Sequence, residues 1–438
     1  MFLTRRRALL WAALAAVAFS PVAVGALPFF PGALLPAALF AFAVYAFSFA
    51  PSRRPARVAL VLLSAFFAVT FCDLAARALV FYLYESDRRA AVHVRRWPPL
   101  PQLPRYDPGV NLDGVTYGDL AARAGRSDWR EQRRVRFVTD AYGFRNEPSG
   151  EAGRPLDLIV LGDSFGAAGG TTQEQTLTSV LARDYGLSVY NLSVAAESPQ
   201  QEYATLLLEG ARLKTREGAR VLWLLFEGND LDDPYYRELE NPRPHPPSPL
   251  ERLAVGFNDF RARSPVRGLF SPDEGGVVVE REFIDGRPLL FLNAYARRRG
   301  RTGEEVRRHP NFEGLRATLA AMRRLADERR LRVEVALVPS KEEVYAWALD
   351  GAPPWTSPEE PSGFSAVLAG LCAGQGLRFL DLKPALVEAS RRAYEESGAL
   401  LWWRDDTHWN PAGQRVAASA AYEQLLDDSA PPVEGKRQ

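Results

Sequence analysis

The 438-residue chain predicts an α/β fold with a parallel sheet covered on both faces. Three observations carry that expectation. Short apolar runs recur at Leu156–Leu161, Arg220–Phe226 and Val333–Val338, too short for buried helices. Stretches with helical spacing fill the gaps between them. Most runs give way to small or turn-forming residues, so strands alternate with helices, as in a parallel sheet.

The elements follow in order. Val135-Arg136-Phe137-Val138-Thr139 alternates as a strand, and Asp140-Ala141-Tyr142-Gly143 is a turn. Five sheet strands are expected, at 156–161, 188–191, 220–226, 333–338 and 377–382. Helices are expected at 174–185, stopping before Gly186, at 199–214, at 311–330, and at 411–426, opened by Pro411. Residues 231–310 are rich in Pro and Arg and break the alternation. They read as an insertion over the active face, with one hairpin from Val277–Glu280 to Leu289–Phe291 that turns near Asp285-Gly286. The folded domain therefore spans 135–427. Residues 85–134 read as a Pro- and Arg-rich linker with little regular structure, and 428–438 as a disordered polar tail.

The amino-terminal 84 residues differ from the rest. Ala8 to Ala50 carries no Asp, Glu, Lys or Arg, a length that suits two bilayer crossings with a turn at Leu27–Gly32. A third apolar run starts at Val58, stays uncharged to Cys72 and ends in Phe81, Tyr82 and Tyr84, aromatics suited to a membrane interface. Asp73 and Arg77 are four residues apart within it, so one helix face can pair them. The first run is too long for a cleaved signal peptide and ends in no clear cleavage site. Residues 1–84 are thus expected to be a retained anchor of about three transmembrane helices. Arg5, Arg6 and Arg7 before span one, and Arg53, Arg54 and Arg57 before span three, place both clusters in the cytoplasm. Everything after about Tyr84 is then extracytoplasmic, periplasmic in a Gram-negative cell.

Net charge is +1 overall, but residues 85–438 hold 47 basic and 52 acidic residues, net −5. That argues against a nucleic-acid partner. Cys72 and Cys372 are too far apart in kind and place to pair, and they exclude a Cys-based metal site. No cofactor is called for. With only four histidines in the chain, the search for a catalytic base is short.

The most informative motif is Gly162-Asp163-Ser164-Phe165, directly after the first buried strand. A serine at that turn is where an α/β enzyme holds a nucleophile. Otherwise it caps a helix. His408 lies in Arg404-Asp405-Asp406-Thr407-His408-Trp409-Asn410-Pro411, where a neighbouring acid can fix the imidazole tautomer so that Nε2 accepts a serine proton. Glu227-Gly228-Asn229-Asp230 ends another buried strand, where a side-chain amide can donate to an oxyanion in the crevice of the sheet. Gly166 to Gly170 reads as close packing beside the serine, since no Lys follows to make a phosphate loop. Asp230, Asp232 and Asp233 read as a solvated acidic helix start. Trp402, Trp403 and Trp409 read as packing around the base.

In this order, Gly-Asp-Ser, Gly-Asn-Asp and a carboxyl-terminal Asp-x-x-His, the chain resembles the SGNH (GDSL-type) hydrolase superfamily over about residues 135–427. The resemblance implies a flavodoxin-like three-layer α/β/α fold, Ser164 as nucleophile and His408 as general base. It also implies an oxyanion hole from the Ser164 N–H, the Asn229 side chain and a backbone N–H near Asn191–Ala196. The family's glycine there falls on Ala196, which keeps the donor but needs a backbone conformation that alanine tolerates. The acid is left between two residues. Asp405 fits the Asp-x-x-His spacing, whereas Asp406-Thr407-His408-Trp409 resembles the alginate O-acetyltransferase branch and favours Asp406.

Function then reads as an extracytoplasmic serine esterase or O-acyltransferase, acting on ester groups, O-acetyl first among them, of an envelope or exported glycan. The expected partners are an ester-bearing glycan or other acylated substrate and membrane lipid. A transferase would also need a membrane transporter for its acyl donor, because three spans are too few to move one. Two other readings compete: a catalytically silent carbohydrate-binding or assembly protein of the same fold, and a lipase-like esterase with residues 231–310 as a lid.

Overall fold

A computed structural model describes residues 5–27, 33–83, 94–118, 120–124, 126–148, 154–262, 264–266, 278–282, 286–350 and 360–427. The expected turn at Pro28–Gly32, the hairpin position Asp285 and the polar tail lie outside these residues. The chain divides into two compact units, residues 1–89 with 246–273, and residues 90–245 with 274–438.

In the first unit, helices Arg5–Ala23, Leu34–Ser48 and Arg53–Leu83 occupy the places of the three expected spans. Among the described residues one helix, Arg53–Ala78, is long and apolar enough to cross a membrane, whereas the first two are shorter apolar helices. They pack through Leu14, Ala18, Leu39, Ala43, Ala59 and Leu63. Small residues at such contacts let helix backbones approach closely. Trp11 Nε1 donates to Ser48 Oγ at 3.0 Å, and Ser20 Oγ lies 2.7 Å from Thr70 Oγ1. The first and third helices therefore run parallel, and the second runs back between their levels.

The second unit holds the sheet. Val94–Trp97 (β1) pairs antiparallel with Leu100–Tyr106 (β2), and Asn111–Thr116 (β3) with Arg133–Val138 (β4). Leu156–Leu161 (β5), Val189–Asn191 (β6) and Thr215–Phe226 (β7) follow. Val278–Glu282 (β8) and Pro288–Leu292 (β9) form the expected hairpin, before Arg332–Val338 (β10) and Arg378–Asp381 (β11). Strands β5, β6, β7, β10 and β11 make one parallel sheet in the order β11-β10-β7-β5-β6. Counted along the sheet strands this is the flavodoxin-type 2-1-3-4-5 order, which reverses direction between β5 and β7.

Period-two alternation explains the three layers. On β7, Val221, Trp223 and Leu225 face one core with Leu315, Leu319, Met322 and Phe364. Leu222, Leu224 and Phe226 face the other with Leu177, Leu386, Ala417 and Trp409. Helices Pro199–Glu209, Phe312–Arg329 and Gly363–Gly374 cover the first face. Leu177–Tyr185, Lys383–Ser397 and Pro411–Ala421 cover the second.

Two expectations need correction. Residues 94–116 of the expected linker are mostly strand, and Leu120–Arg123 is a helical turn. Their prolines sit in two-stranded ribbons, which tolerate a missing ladder donor. The insertion also does not act as one piece. Residues 246–273 belong to the unit of the amino-terminal helices, because Arg261 and Ser264 find their polar partners there. Strand β9 remains with the sheet unit, where the Leu290 N–H donates to the Arg404 carbonyl at 3.0 Å.

Candidate active site

Ser164 follows β5 and Asn229 follows β7, so both lie at the carboxyl ends of adjacent strands, at the switch point where open α/β sheets bind ligands. Asp163 builds the turn that presents the serine. Its carboxylate accepts the Phe165 N–H at 2.8 Å and lies 3.4 Å from Ser164 Oγ. Burial pushes the Asp163 carboxyl up to about 6, against the Phe165 N–H and His408. The glycines after the serine allow close approach: a Cβ on Gly166 would collide with Ser193 Oγ, and one on Gly169 would touch the His408 ring. Arg145, fully buried, donates to the carbonyls of Ala167 and Ala168 at 2.8 and 2.7 Å and pins the same turn.

His408 Nε2 lies 2.8 Å from Ser164 Oγ, and its Nδ1 lies 2.7 Å from Asp406 Oδ1. A carboxylate only accepts, so Nδ1 carries the proton and Nε2 is the acceptor facing the serine. The imidazole is about a quarter exposed, so a substrate can reach it. Phe165 packs 5.1 Å from the His408 ring, between it and Phe226.

The two candidate acids separate cleanly. Asp406 contacts the imidazole, and its other oxygen accepts Arg133 Nη1 at 2.8 Å. Burial opposes its charge, yet His408 and Arg133 hold the carboxyl well below the usual carboxylate range. Asp405 turns away from the ring. It accepts the N–H groups of Gly118 and Glu131, each at 2.9 Å, and pairs with Arg133 Nη2. Arg133 also stacks 4.4 Å from the Trp403 ring. Lys341 Nζ, buried, donates to the carbonyls of Trp403, Arg404 and Asp406 at 2.7, 3.0 and 3.0 Å. Burial pushes its ammonium down to about 8, against the pull of Glu342 and Asp406.

The three proposed oxyanion donors are placed as follows. The Ser164 N–H sits in the turn after β5. Ala196 adopts φ +66°, the left-handed conformation that a glycine would take without strain, and it is exposed. Asn229 Nδ2 donates to Asp233 at 2.9 Å, which leaves its second N–H for another acceptor. The acidic run beside it is not a solvated helix start. Asp230 is fully buried and accepts the Phe226 N–H at 2.6 Å, Asp232 takes Arg301 in a bidentate pair, and Asp233 takes Asn229. Three close backbone and side-chain donors drew these carboxylates inward. Trp402 and Trp409 are buried against each other at 6.2 Å, as core packing.

Arg133, Arg145 and Lys341 escaped sequence reasoning. Arginines are too common in this chain for one to stand out, and Lys341 opens a run, Lys341-Glu342-Glu343, that reads as a solvated helix start.

Comparison with known proteins adds to this geometry. Residues 299–438 match the model of the SGNH hydrolase-like domain of the acetyltransferase AlgX. That stretch holds Lys341, Asp405, Asp406 and His408. Among solved structures, the chain is similar to the psychrotrophic esterase EstA from Pseudoalteromonas sp., with 13% identity over 61% of this chain and 96% of that one and a TM-score of 0.31. A putative lipolytic protein of the G-D-S-L family from Desulfitobacterium hafniense has 12% identity over 60% and 96%, with a TM-score of 0.31. An acetyl xylan esterase, AlAXEase, has 12% identity over 61% and 98%, with a TM-score of 0.32. Curated proteins yield no match.

Proposed function

We propose that the chain is a membrane-anchored, extracytoplasmic acyl-transfer enzyme that acts on O-acetyl esters of an envelope or exported glycan. The observation that carries the reading is the unbroken line from Ser164 Oγ through His408 to Asp406, with contacts of 2.8 and 2.7 Å. Ser164 Oγ attacks the ester carbonyl while His408 Nε2 takes its proton. The C–O bond to the leaving alcohol breaks, and His408 returns the proton to that oxygen. Water or a sugar hydroxyl then attacks the acyl-serine, giving its proton to His408, and Ser164 is released with its proton restored. Asp406 holds the imidazole tautomer and offsets the imidazolium charge. Ser164 N–H, Ala196 N–H and Asn229 are assigned to the oxyanion, each donor contributing roughly 3–4 kcal/mol to barrier lowering.

The match of residues 299–438 to an acetyltransferase domain supports acetyl as the group carried. The apolar helix Arg53–Ala78 and the flanking arginines support the anchor and its orientation. The test uses the full-length protein with a fluorophosphonate probe and acetylated sugars, with and without an acceptor glycan. Labelling of wild type but not Ser164→Ala, together with release or transfer of acetate, is the expected result. A folded protein that takes no label would favour the carbohydrate-binding reading.

A further inference from the structure

The helix Pro249–Ala262 sits inside the sequence of the sheet unit but belongs structurally to the amino-terminal helices. Its level on those helices can be read from the chain. Arg53 to Asp73 spans twenty residues, about 30 Å of helix at ~1.5 Å per residue, which is the thickness of a bilayer's hydrocarbon core. Asp73 therefore falls at the boundary opposite Arg53, Arg54 and Arg57. The Ser20–Thr70 contact puts the carboxyl end of the first helix at the same level.

The end of Pro249–Ala262 docks at that level, through polar groups. Asp73 pairs with Arg77 at 2.6 Å, accepts Ser264 Oγ, and lies 3.3 Å from the Val266 N–H. Arg77 donates to the carbonyls of Phe260 and Val24 at 2.5 and 2.6 Å and lies 4.2 Å over the Phe260 ring. Arg261 donates to the Val22 carbonyl at 2.8 Å. Two guanidiniums thus bind carbonyls at the carboxyl end of the first helix, Val22 within its last turn and Val24 just past it. Gly25, at φ +88°, makes room: a Cβ there would collide with the Arg261 carbonyl oxygen.

The helix carries an apolar stripe that is largely exposed, with Arg77 over the Phe260 end of it. Leu250, Leu253, Phe257 and Phe260 recur at helical spacing and are 74%, 69%, 44% and 40% exposed. Glu251 and Asn258 lie on the other side. The third helix, on which this helix docks, also exposes Phe67, Phe71 and Leu74. An amphipathic helix pinned at the hydrocarbon boundary, with its apolar face open, suits the plane of a membrane interface.

We propose that Pro249–Ala262 is an interfacial helix that lays Leu250, Leu253 and Phe257 into the lipid headgroup–acyl boundary. The chain would then meet the membrane a second time, between Asn229 and the β8–β9 hairpin, besides its amino-terminal anchor. The inference rests on the anchor reading above.

The test is spin-label accessibility in the full chain, with Cys72→Ser and Cys372→Ala, reconstituted in phosphatidylcholine–phosphatidylglycerol nanodiscs. Single labels go at Leu253→Cys, Phe257→Cys, Asn258→Cys and, on the third helix, Val61→Cys. All are exposed positions, so a label displaces no packing. Oxygen should relax the labels at 253 and 257 severalfold more strongly, relative to a water-soluble nickel chelate, than the label at 258. The label at 61 should show the deepest lipid signature. A lipid signature at 61 with aqueous behaviour at 253 and 257 would overturn the interfacial helix and leave the anchor standing. Labels at 253 and 257 shielded from both reagents would overturn it in favour of a protein partner. Aqueous behaviour at all four would overturn both readings.

Discussion

Asp405 and Asp406 are adjacent, buried and share Arg133, yet replacing each with asparagine should have opposite consequences. Asp406 accepts on both sides, from His408 through Oδ1 and from Arg133 through Oδ2. An amide has one accepting oxygen. If the amide of Asp406→Asn turns that oxygen to Arg133, its NH2 faces the ring. Nδ1 must then become the acceptor, and Nε2 carries the proton and cannot accept one from Ser164. If the oxygen turns to the ring instead, an NH2 faces a guanidinium. The wrong tautomer in such a triad lowers kcat about 10⁴-fold, or about 5.4 kcal/mol at ~1.36 kcal/mol per tenfold. Asp405→Asn instead removes a fully buried charge that takes Gly118, Glu131 and Arg133. Breaking such a pair costs about 3–5 kcal/mol of stability. At roughly 2–4 °C per kcal/mol, Tm should fall by about 10 °C. Hydrolysis of an aryl acetate and thermal unfolding, measured on both variants, separate the effects. If Asp405→Asn abolished turnover at unchanged Tm while Asp406→Asn stayed active, the assignment of the acid would be wrong.

Three further outcomes are expected. Asn229→Ala should lower kcat about 10²–10³-fold with little change in KM, because an oxyanion donor acts in the transition state; a change confined to KM would count against that role. Lys341→Met leaves the Trp403 and Asp406 carbonyls of the catalytic loop without this donor, at roughly 1–3 kcal/mol each, and the Arg404 carbonyl with the Leu290 N–H alone, so both Tm and the rate of fluorophosphonate labelling should fall; labelling at the wild-type rate would show the loop holds without it. The buried carboxyl of Glu202 is raised well above its usual range, by burial and then by Asp230. Above the unfolded value of about 4.3, the native state therefore keeps a proton the unfolded state has lost, and stability falls as pH rises, by ~1.4 kcal/mol per unit for one such group. In urea titrations from pH 5 to 8, Glu202→Gln should flatten that slope, and parallel curves would contradict it.

Much of the sheet is legible in the sequence because its strands are buried on both faces and read as unbroken apolar runs. Leu156–Leu161 and Val333–Val338 needed no partner to be recognised. The β1–β3 ribbons were not legible, since Pro98, Pro99, Pro101 and Pro104 mimic a linker and only the fold shows that their strands lack a neighbour needing those donors. Ser164, Asn229 and His408 stand at strand and helix ends, where local motifs survive. Between Asp405 and Asp406 the motif favours Asp406, the residue that meets the imidazole, but spacing alone left both open, because the geometry depends on where Arg133, some 270 residues earlier, directs its two ends. The tie from Asp73 to Ser264 is hidden for the same reason: no local pattern marks a contact between residues so far apart in the chain.

The central claim is that Ser164 becomes acylated with His408 as its base. Full-length protein exposed briefly to an activated acetyl ester, quenched in acid and mapped by peptide mass spectrometry measures this directly. The account predicts acetyl on Ser164 in wild type, accumulating far more slowly in a folded His408→Ala variant and absent from Ser164→Ala. Acetyl on another residue, or equal acylation of wild type and His408→Ala, would contradict it.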